Sequence, residues 1–158
     1  MKEARDDMDE SPLVNELKAH LGAKALWVRE TSKDNIFAGV RPQDVPDCVR
    51  ILWNEMQGRW GVITGVDVVG GVELLYHFIF DKHHRVVTLK TTVEKPFPEI
   101  ESVTPIVPAA EWIEREVAEL LGVKFRNHPD PRKLLLSDDW PEGVYPLRKD
   151  YRPKDPNE

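Results

Sequence analysis

The amino-acid sequence predicts an α+β fold: a mostly antiparallel sheet with two to three helices packed on it and an extended C-terminal segment. Apolar residues recur at helical spacing over residues 12–21, 45–56 and 108–121. Between the last two stretches lie runs of β-branched and aromatic residues separated by short polar or glycine turns, as is typical of hairpin-connected strands. A chain of 158 residues can bury one core, so we expect a single domain over residues 12–123.

The first elements follow in order from the N-terminus. Residues 1–11 are mostly charged and predict a mobile acidic arm. Ser11 is a candidate cap for a first helix over residues 12–21, because serine oxygens accept hydrogen bonds from the first turn of a helix. Short strands over residues 25–30 and 35–40 come next, separated by a polar turn.

The second helix carries the single cysteine of the chain. Cys48 lies on the apolar stripe of residues 45–56, so we predict a buried core residue and not a nucleophile, which needs an accessible, electropositive setting. One cysteine excludes a disulfide framework, a cysteine-ligated iron–sulfur cluster and a cysteine-rich zinc site within this chain.

Three strands and a proline-rich passage follow the second helix. The strands are predicted over residues 60–69, 72–80 and 85–93, with Gly70-Gly71 as the turn of the first hairpin. The passage from Pro96 to Pro108 predicts an extended crossover, because proline cannot donate a backbone hydrogen bond to a helix or to a central strand.

The third helix, over residues 108–122, combines an apolar side with an acidic side. We place Trp112 on the buried side together with aliphatic residues. The charged residues predict an exposed side with ion pairs of Arg115 to Glu111 and to Glu119. This acidic side consists of Glu111, Glu114, Arg115, Glu116 and Glu119.

Composition and charge restrict the function. The chain has 22 basic and 28 acidic side chains and a net charge of −6, which argues against nucleic-acid binding. No apolar run approaches the roughly 20 residues that span a bilayer, and the N-terminus lacks the apolar core of a signal peptide. We therefore expect a cytoplasmic protein.

Candidate catalytic residues are few. The sequence contains no Gly-x-Ser-x-Gly elbow, and Gly70-Gly71 lacks the residues that complete a phosphate-binding loop. His83-His84 has no third ligand nearby in the sequence, and His77 lies within a predicted strand, so we expect neither a metal site nor a catalytic site. A small stand-alone enzyme that uses His77 or the histidine pair is the weaker alternative.

Residues 124–158 form the most distinctive stretch. They hold eight basic and seven acidic side chains, interleaved with large residues such as Trp140, Tyr145 and Leu147, and they show no sustained periodicity. Extended segments of this length are uncommon in a compact domain. Aromatic and arginine anchors suit protein–protein contacts, so we predict a docking segment, either for a larger complex or, as an adaptor, for a soluble acidic partner.

Part of this region resembles a family signature. The run Glu-Arg-Glu-Val-Ala-Glu-Leu-Leu over residues 114–121 is followed by His128, Arg132 and Leu134-Leu135. This spacing resembles the signature of the thirty-kilodalton subunit of respiratory-chain NADH dehydrogenase, which is the C subunit of NADH-quinone oxidoreductase. The closing Pro-Leu-Arg-Lys-Asp-Tyr at residues 146–151 is similar to a motif of the same family.

The resemblance implies an α+β subunit without a cofactor, a metal or a catalytic residue of its own. Such a subunit packs on the large catalytic subunit of a complex I-like oxidoreductase, beside iron–sulfur subunits, and reaches the cytoplasmic face of the membrane only through these partners. Iron–sulfur clusters, and in some relatives a nickel–iron site, belong to the partner chains. With the anchors read from the sequence itself, the predicted partner interface comprises Glu114, Arg115, Glu116, Glu119, His128, Asp130, Arg132, Leu134, Leu135, Trp140, Tyr145, Pro146, Leu147, Arg148, Lys149 and Asp150.

Two kinds of complex stay open. Residues 137–145 are more similar to the homologous subunit of energy-converting, membrane-bound nickel–iron hydrogenases, which favours a hydrogenase-type or related ion-pumping complex. The alternative is the C subunit of an NADH- or ferredoxin-quinone oxidoreductase. Two positions depart from the pattern: Asn127 stands where the family usually has glycine, and Pro131 where leucine is common.

Overall fold

The computed structural model describes residues 11–153; the predicted acidic arm, apart from Ser11, and residues 154–158 lie outside this range. The helices in this range are α1 (Pro12–Leu21), α2 (Val45–Arg50) and α3 (Glu111–Leu121). The strands are β1 (Ala25–Ser32), β2 (Asn35–Val40), β3 (Arg59–Val68), β4 (Gly71–Phe80), β5 (Arg85–Glu94), β6 (Glu99–Glu101) and β7 (Lys124–Arg126). The α+β class predicted from the sequence is confirmed.

The main sheet has the strand order β1-β2-β5-β4-β3 within the described residues. Neighbouring strands run antiparallel except β2 and β5, which are parallel. The mostly antiparallel sheet is therefore as predicted. The parallel pair is not predicted, because the chain passes through α2 and the whole β3–β4 hairpin between its two strands, and no local pattern reports so distant a pairing.

The turn of the β3–β4 hairpin lies one residue earlier than predicted. Val68 pairs with Gly71, so Val69 and Gly70 form the turn. Gly70 has a φ of 81°, a left-handed conformation that glycine adopts without strain. The prediction of Gly70-Gly71 as the turn is wrong by this one-residue shift, because either glycine satisfies the sequence pattern.

The helices and one face of the main sheet share a single hydrophobic core. Alternate residues of β4, from Val72 to Phe80, are buried, whereas those between them are half-buried on the opposite face. The buried side chains of α1, α2 and α3 join the same core. Helix α1 has the predicted bounds, although the Ser11 hydroxyl makes no capping hydrogen bond.

The predicted second helix is present and buries its cysteine. It consists of α2 followed by a π-helical turn over Ile51–Glu55. Cys48 is fully buried, and this burial raises the pKa of its thiol to about 12. Such a thiol stays protonated and unreactive at neutral pH, so Cys48 is a packing residue, as predicted.

A small second sheet, which the sequence does not predict, links the crossover to the chain after α3. Strands β6 and β7 pair in parallel, Glu99 with Lys124 and Glu101 with Arg126. The predicted crossover thus contains a strand, and the first residues of the predicted docking segment form its partner. The part of that segment with neither α-helix nor strand, called the C-terminal segment below, covers residues 127–153.

Helix α3 packs on β3 at Gly65. A Cβ atom at this position would overlap Cδ1 of Leu121 and would lie 3.3 Å from Cγ1 of Val117. The missing side chain therefore allows the helix to approach the sheet closely. This approach fixes the position of every side chain that α3 presents to the C-terminal segment.

We expect that Gly65→Val lowers the free energy of unfolding by about 1–3 kcal/mol, because the added methyl groups must displace Leu121 or the helix. Urea unfolding followed by circular dichroism measures the change. Val66→Ile is the matched control, since Val66 is exposed on the open face of the same strand and its substitution should cost less than about 0.5 kcal/mol. Equal effects of the two substitutions would contradict close packing at Gly65.

Candidate functional site

The predicted interface residues lie on α3 and on the C-terminal segment, and the fold brings these two parts together. The segment is bonded to α3 at two places. The first anchor involves residues 128–135, and the second involves residues 145–149. Residues 136–144, which connect the two anchors, form a loop that we call the excursion.

Two side chains of α3 lie opposite to where the helical periodicity places them. Trp112, predicted to be buried, is 65% exposed, whereas Glu114, predicted on the exposed acidic side, is 0% exposed. The buried stripe of the helix consists of Glu114, Val117 and Leu121. Glu114 can occupy this stripe because hydrogen bonds satisfy its carboxylate, which hydropathy alone does not reveal.

The Glu114 carboxylate is the polar centre beneath α3. It accepts hydrogen bonds from the Ser102 hydroxyl at 2.5 Å, the Val103 backbone N–H at 2.7 Å and the Thr104 hydroxyl at 2.9 Å. Burial nevertheless raises the pKa of Glu114, because removal from water disfavours the charged form more than these bonds favour it. Glu114 thus ties the start of α3 to the loop that follows β6.

His128 begins the first anchor. Its Nε2 lies 3.0 Å from the Glu111 carbonyl oxygen, and its Nδ1 accepts a hydrogen bond from the Asp130 N–H at 3.1 Å. These partners place a donating N–H on Nε2 and leave Nδ1 as the acceptor. The preceding Asn127 has a φ of 57°, in the left-handed region that asparagine tolerates, so it can stand where glycine is usual.

Arg115 and Glu119 bind the backbone of the segment and not each other. The Arg115 guanidinium donates to the carbonyl oxygens of residues 132 and 133, at 2.8 and 2.7 Å. The Glu119 carboxylate accepts from the N–H groups of residues 134 and 135, both at 2.7 Å. Among the described residues, Arg115 forms its ion pair with Asp130, at 3.6 Å. The predicted ion pairs of Arg115 with Glu111 and Glu119 are therefore wrong, since the segment takes up both side chains.

The second anchor lies at the C-terminal end of α3. The Leu147 N–H and the Arg148 Nε donate to the carbonyl oxygens of residues 120 and 121, at 3.0 and 2.8 Å. The Arg148 guanidinium carbon also lies 4.3 Å from the centroid of the Tyr145 ring. A Cβ atom at Gly122, whose φ is 73°, would lie 2.5 Å from that ring. The end of the helix therefore fits closely beneath Tyr145 and Arg148.

Asp67 on β3 completes the second anchor. Its buried carboxylate accepts a hydrogen bond from the Lys149 N–H at 2.9 Å and lies 2.5 Å from Nζ of Lys95. No sequence motif singles out Asp67. Strand alternation was the available signal, because Ile63, Gly65 and Asp67 share the face that packs on the core, where a carboxylate needs partners.

The basic side chains of the segment and of β7 are largely occupied within the chain. The basic residues of β7 pair with Glu99, at 2.8 and 3.2 Å. Nζ of Lys133 donates to the carbonyl oxygens of residues 137, 138 and 140. The Arg132 guanidinium lies 2.7 Å from the Asp130 carboxylate and holds the pKa of that carboxyl well below its usual range. Several of the basic side chains noted in the sequence are thus already bonded within the chain.

Large apolar side chains remain outward in the same region. Trp112 is 65% exposed, and Leu135 and Leu147 are each 58% exposed. Trp112 and Glu116 are four residues apart and therefore share one face of α3. This face lies beside the one that carries Arg115 and Glu119 of the first anchor. Among the described residues, the Glu116 side chain makes no hydrogen bond or ion pair. We call Trp112, Glu116, Leu135 and Leu147 the docking face.

The other predicted interface residues lie in the excursion, at the second anchor or, for Asp150, directly after it. Nε1 of Trp140 donates to the Val144 carbonyl oxygen at 2.8 Å, and the Trp140 ring lies 6.1 Å from that of Tyr151. Pro146 is half-buried, whereas Asp150 is exposed. Many of the predicted interface residues therefore hold the C-terminal segment against its own domain.

The histidines of the alternative hypothesis lie far from this region in the fold. His77 is held on the open sheet face, with Nδ1 2.9 Å from the Thr88 hydroxyl and Nε2 3.2 Å from the Thr64 hydroxyl, and burial lowers its pKa. His83 and His84 are exposed in the turn after β4. Within residues 11–153, no group of three or more histidine, cysteine, aspartate or glutamate side chains could hold a metal ion. In the same range, no helix combines the length and apolarity needed to cross a membrane.

Comparison with known proteins identifies relatives of this chain. Residues 38–157 match the family described as respiratory-chain NADH dehydrogenase, 30 kDa subunit. The C subunit of the Geobacter sulfurreducens NADH-quinone oxidoreductase is 35% identical over 143 residues, which cover 87% of this chain and 86% of that protein. Formate hydrogenlyase subunit 5 of Escherichia coli is 37% identical over 123 residues, which cover 75% of this chain but 22% of that protein.

The fold is also similar to that of a solved structure. A chain of the membrane-bound sulfane sulfur reductase, an archaeal respiratory membrane complex, matches with a TM-score of 0.76 and 25% identity, covering 89% of this chain and 84% of that chain. The similar proteins are thus subunits of a quinone oxidoreductase, a formate hydrogenlyase and a respiratory membrane complex. The resemblance noted in the sequence is confirmed.

We expect that Glu119→Gln loosens the first anchor, because an amide can accept from one of the two N–H groups but presents a donor to the other. Loss of about one net hydrogen bond raises about fivefold the population of molecules in which the first anchor is detached from α3. Trypsin cleavage after Lys133 should accelerate by that factor, since it follows this population. Glu116→Gln is the control and should leave the cleavage rate unchanged. Equal rates for wild type and Glu119→Gln would contradict the anchor.

We expect that Glu114 makes stability depend on pH. Its folded-state pKa is raised, so its contribution to the free energy of unfolding is greatest below the ordinary carboxyl pKa and falls as the pH rises through the raised value. Urea unfolding from about pH 4 to about pH 8 should show this decline in wild type and not in Glu114→Gln. His128, 3.7 Å away, is present in both proteins. A Glu114→Gln profile parallel to that of wild type would contradict the raised pKa.

Proposed function

This chain belongs to the family of the 30 kDa subunit of respiratory-chain NADH dehydrogenase, and from this premise we propose that it is a non-catalytic subunit of a complex I-like membrane oxidoreductase. In this proposal it docks on the large catalytic subunit and stabilises that subunit during electron transfer. Neighbouring iron–sulfur subunits complete the hetero-oligomer. The chain lies on the cytoplasmic face of the membrane and is attached there through its partners.

The preformed docking face supports this proposal best. The segment beside α3 has neither helix nor strand, yet side chains of α3 bind its backbone at the first anchor, and carbonyl oxygens of the helix bind it at the second. Its large apolar side chains Leu135 and Leu147 remain exposed, as does Trp112 of α3. Aromatic and aliphatic anchors on a rigid surface are typical of protein interfaces, because little conformational freedom is lost on binding.

The proposal assigns no cofactor to this chain. Its single cysteine is buried with a raised pKa, and Glu114, Asp67 and Glu119 are taken up by hydrogen bonds within the domain. The iron–sulfur clusters, and in a hydrogenase-type complex the nickel–iron site, belong to the partner subunits. The electron carriers of the reaction therefore lie outside this chain.

A hydrogenase-type or related ion-pumping complex is the favoured setting, and an NADH- or ferredoxin-quinone oxidoreductase is the alternative. Relatives of both kinds, a formate hydrogenlyase subunit and the C subunit of an NADH-quinone oxidoreductase, are similar to this chain. The large subunit that co-purifies with the chain discriminates between them. Four cysteines in paired Cys-x-x-Cys motifs of that subunit would indicate nickel–iron chemistry, and their absence would indicate a quinone or another acceptor.

We expect that Trp112→Ala and Leu147→Asp each weaken binding of the chain to the large subunit about thirtyfold or more, as truncation of a central interface anchor costs about 2 kcal/mol or more. Co-purification from cells that express the tagged chain detects the loss, and titration of the purified subunits measures its size. Circular dichroism verifies that both variants fold.

Two exposed apolar residues outside the docking face supply matched controls. Phe97 is 87% exposed in the loop before β6, and Val69 lies at the tip of the β3–β4 turn. Phe97→Ala and Val69→Asp should leave the affinity unchanged. If the controls weaken binding as much as Trp112→Ala and Leu147→Asp do, the chain docks through another surface and the proposed face is wrong.

A further inference from the structure

The excursion and the residues that follow it line an open cavity of about 640 Å³, whose lining residues all lie between residues 137 and 152. Trp140, Tyr145 and Tyr151 supply aromatic walls. The rings of Trp140 and Tyr151 are inclined at 39° to each other. The volume lies in the range of about 300–1,000 Å³ that is usual for small-molecule and side-chain binding sites.

The shape of the cavity is fixed by bonds within the segment. Nζ of Lys133 donates hydrogen bonds to the carbonyl oxygens of residues 137, 138 and 140, at 3.3, 3.2 and 3.4 Å. Nη1 of Arg152 donates to the carbonyl oxygens of residues 149 and 151, each at 2.9 Å. Together with the hydrogen bond from the Trp140 indole to the Val144 carbonyl oxygen, these contacts form the site before any partner binds. A preformed site loses less conformational entropy on binding.

The charged groups of the lining are unequally occupied. Arg148 is bonded to the end of α3 and stacked on Tyr145, and Arg152 is bonded to backbone carbonyls. A hydrogen bond from the Ser137 hydroxyl lowers the pKa of Asp139, which keeps that carboxylate charged. Among residues 11–153, no hydrogen bond or ion pair reaches the Asp150 carboxylate. The guanidinium groups are thus used in building the site, whereas the Asp150 carboxylate, which lines the same cavity as the aromatic rings, is left for a ligand.

We propose that this cavity receives an arginine side chain of the partner subunit on which the chain docks. The guanidinium stacks on Trp140 and pairs with Asp150, an arrangement that combines a cation–π contact with an ion pair. Arginine fits better than lysine because its planar group stacks on an indole while its N–H groups point outward to a carboxylate. The inference rests on the proposed docking and names the chemistry that the partner presents to this part of the segment.

The test uses the full chain, labelled with ¹⁵N, and the peptide acetyl-Gly-Arg-Gly-amide. The indole N–H resonance of Trp140 is identified by its loss in Trp140→Phe. We expect a saturable shift of this resonance at millimolar peptide, a weaker effect of acetyl-Gly-Lys-Gly-amide and none of acetyl-Gly-Glu-Gly-amide. Asp150→Asn should lower the affinity for the arginine peptide about two- to fivefold, as for an exposed ion pair.

Asp138→Asn is the matched control, because Asp138 is an exposed carboxylate of the same excursion that does not line the cavity. It should leave the affinity unchanged. A glutamate peptide that binds as well as the arginine peptide, no saturable shift with arginine, or equal effects of Asp138→Asn and Asp150→Asn would each overturn the assignment. If the arginine peptide does not bind while the wild-type chain still binds the large subunit, the docking proposal stands and the cavity assignment is wrong. If the chain does not bind the large subunit while the peptide binds, the cavity assignment stands without its proposed partner.

Discussion

Arg115 and Glu119 of α3 bind four consecutive residues of a segment that has neither helix nor strand, each through a backbone group. Ordering a free chain costs about 1–2 kcal/mol for each residue, and unpaired backbone groups add to that cost when they leave water. Two charged side chains one turn apart meet this requirement, since the guanidinium offers only donors and the carboxylate only acceptors. Residues 132–135 can therefore hold one conformation without a partner, and the outward position of Leu135 depends on these bonds, whereas Leu147 is held by the second anchor.

The inner side of the same helix explains why this arrangement is rigid. Glu114 takes a core position and binds three groups of the loop after β6, while Gly65 lets α3 approach the sheet closely. A buried carboxylate is costly unless it is satisfied, so it admits few alternative positions of the helix. Because these contacts restrict the position of α3, they also restrict the anchors on its outer side and so define the shape of the docking face.

Much of the fold follows from local patterns, and most of the errors come from contacts between residues far apart in sequence. Helix and strand positions, and the burial of Cys48, are readable because side-chain periodicity reports one buried face. The parallel pairing of β2 with β5 and the small β6–β7 sheet join residues far apart in sequence. The sequence pattern of α3 also does not reveal that Glu114 is buried and Trp112 exposed. The hydrogen-bond partners that allow Glu114 to be buried, residues 102–104, lie outside the helix. The family signature identifies the region, but it cannot separate residues that hold the segment from residues left for a partner.

Hydrogen–deuterium exchange of the full chain without any partner tests most directly whether the docking face is preformed. We expect the backbone amides of residues 134, 135, 147 and 149 to exchange slowly, because each donates to a carboxylate or to a helix carbonyl in the free chain. Exchange of these amides at the rates of an unstructured peptide, with protection appearing only in the presence of the large subunit, would contradict the account. The segment would then fold on binding, and α3 alone would not determine its shape.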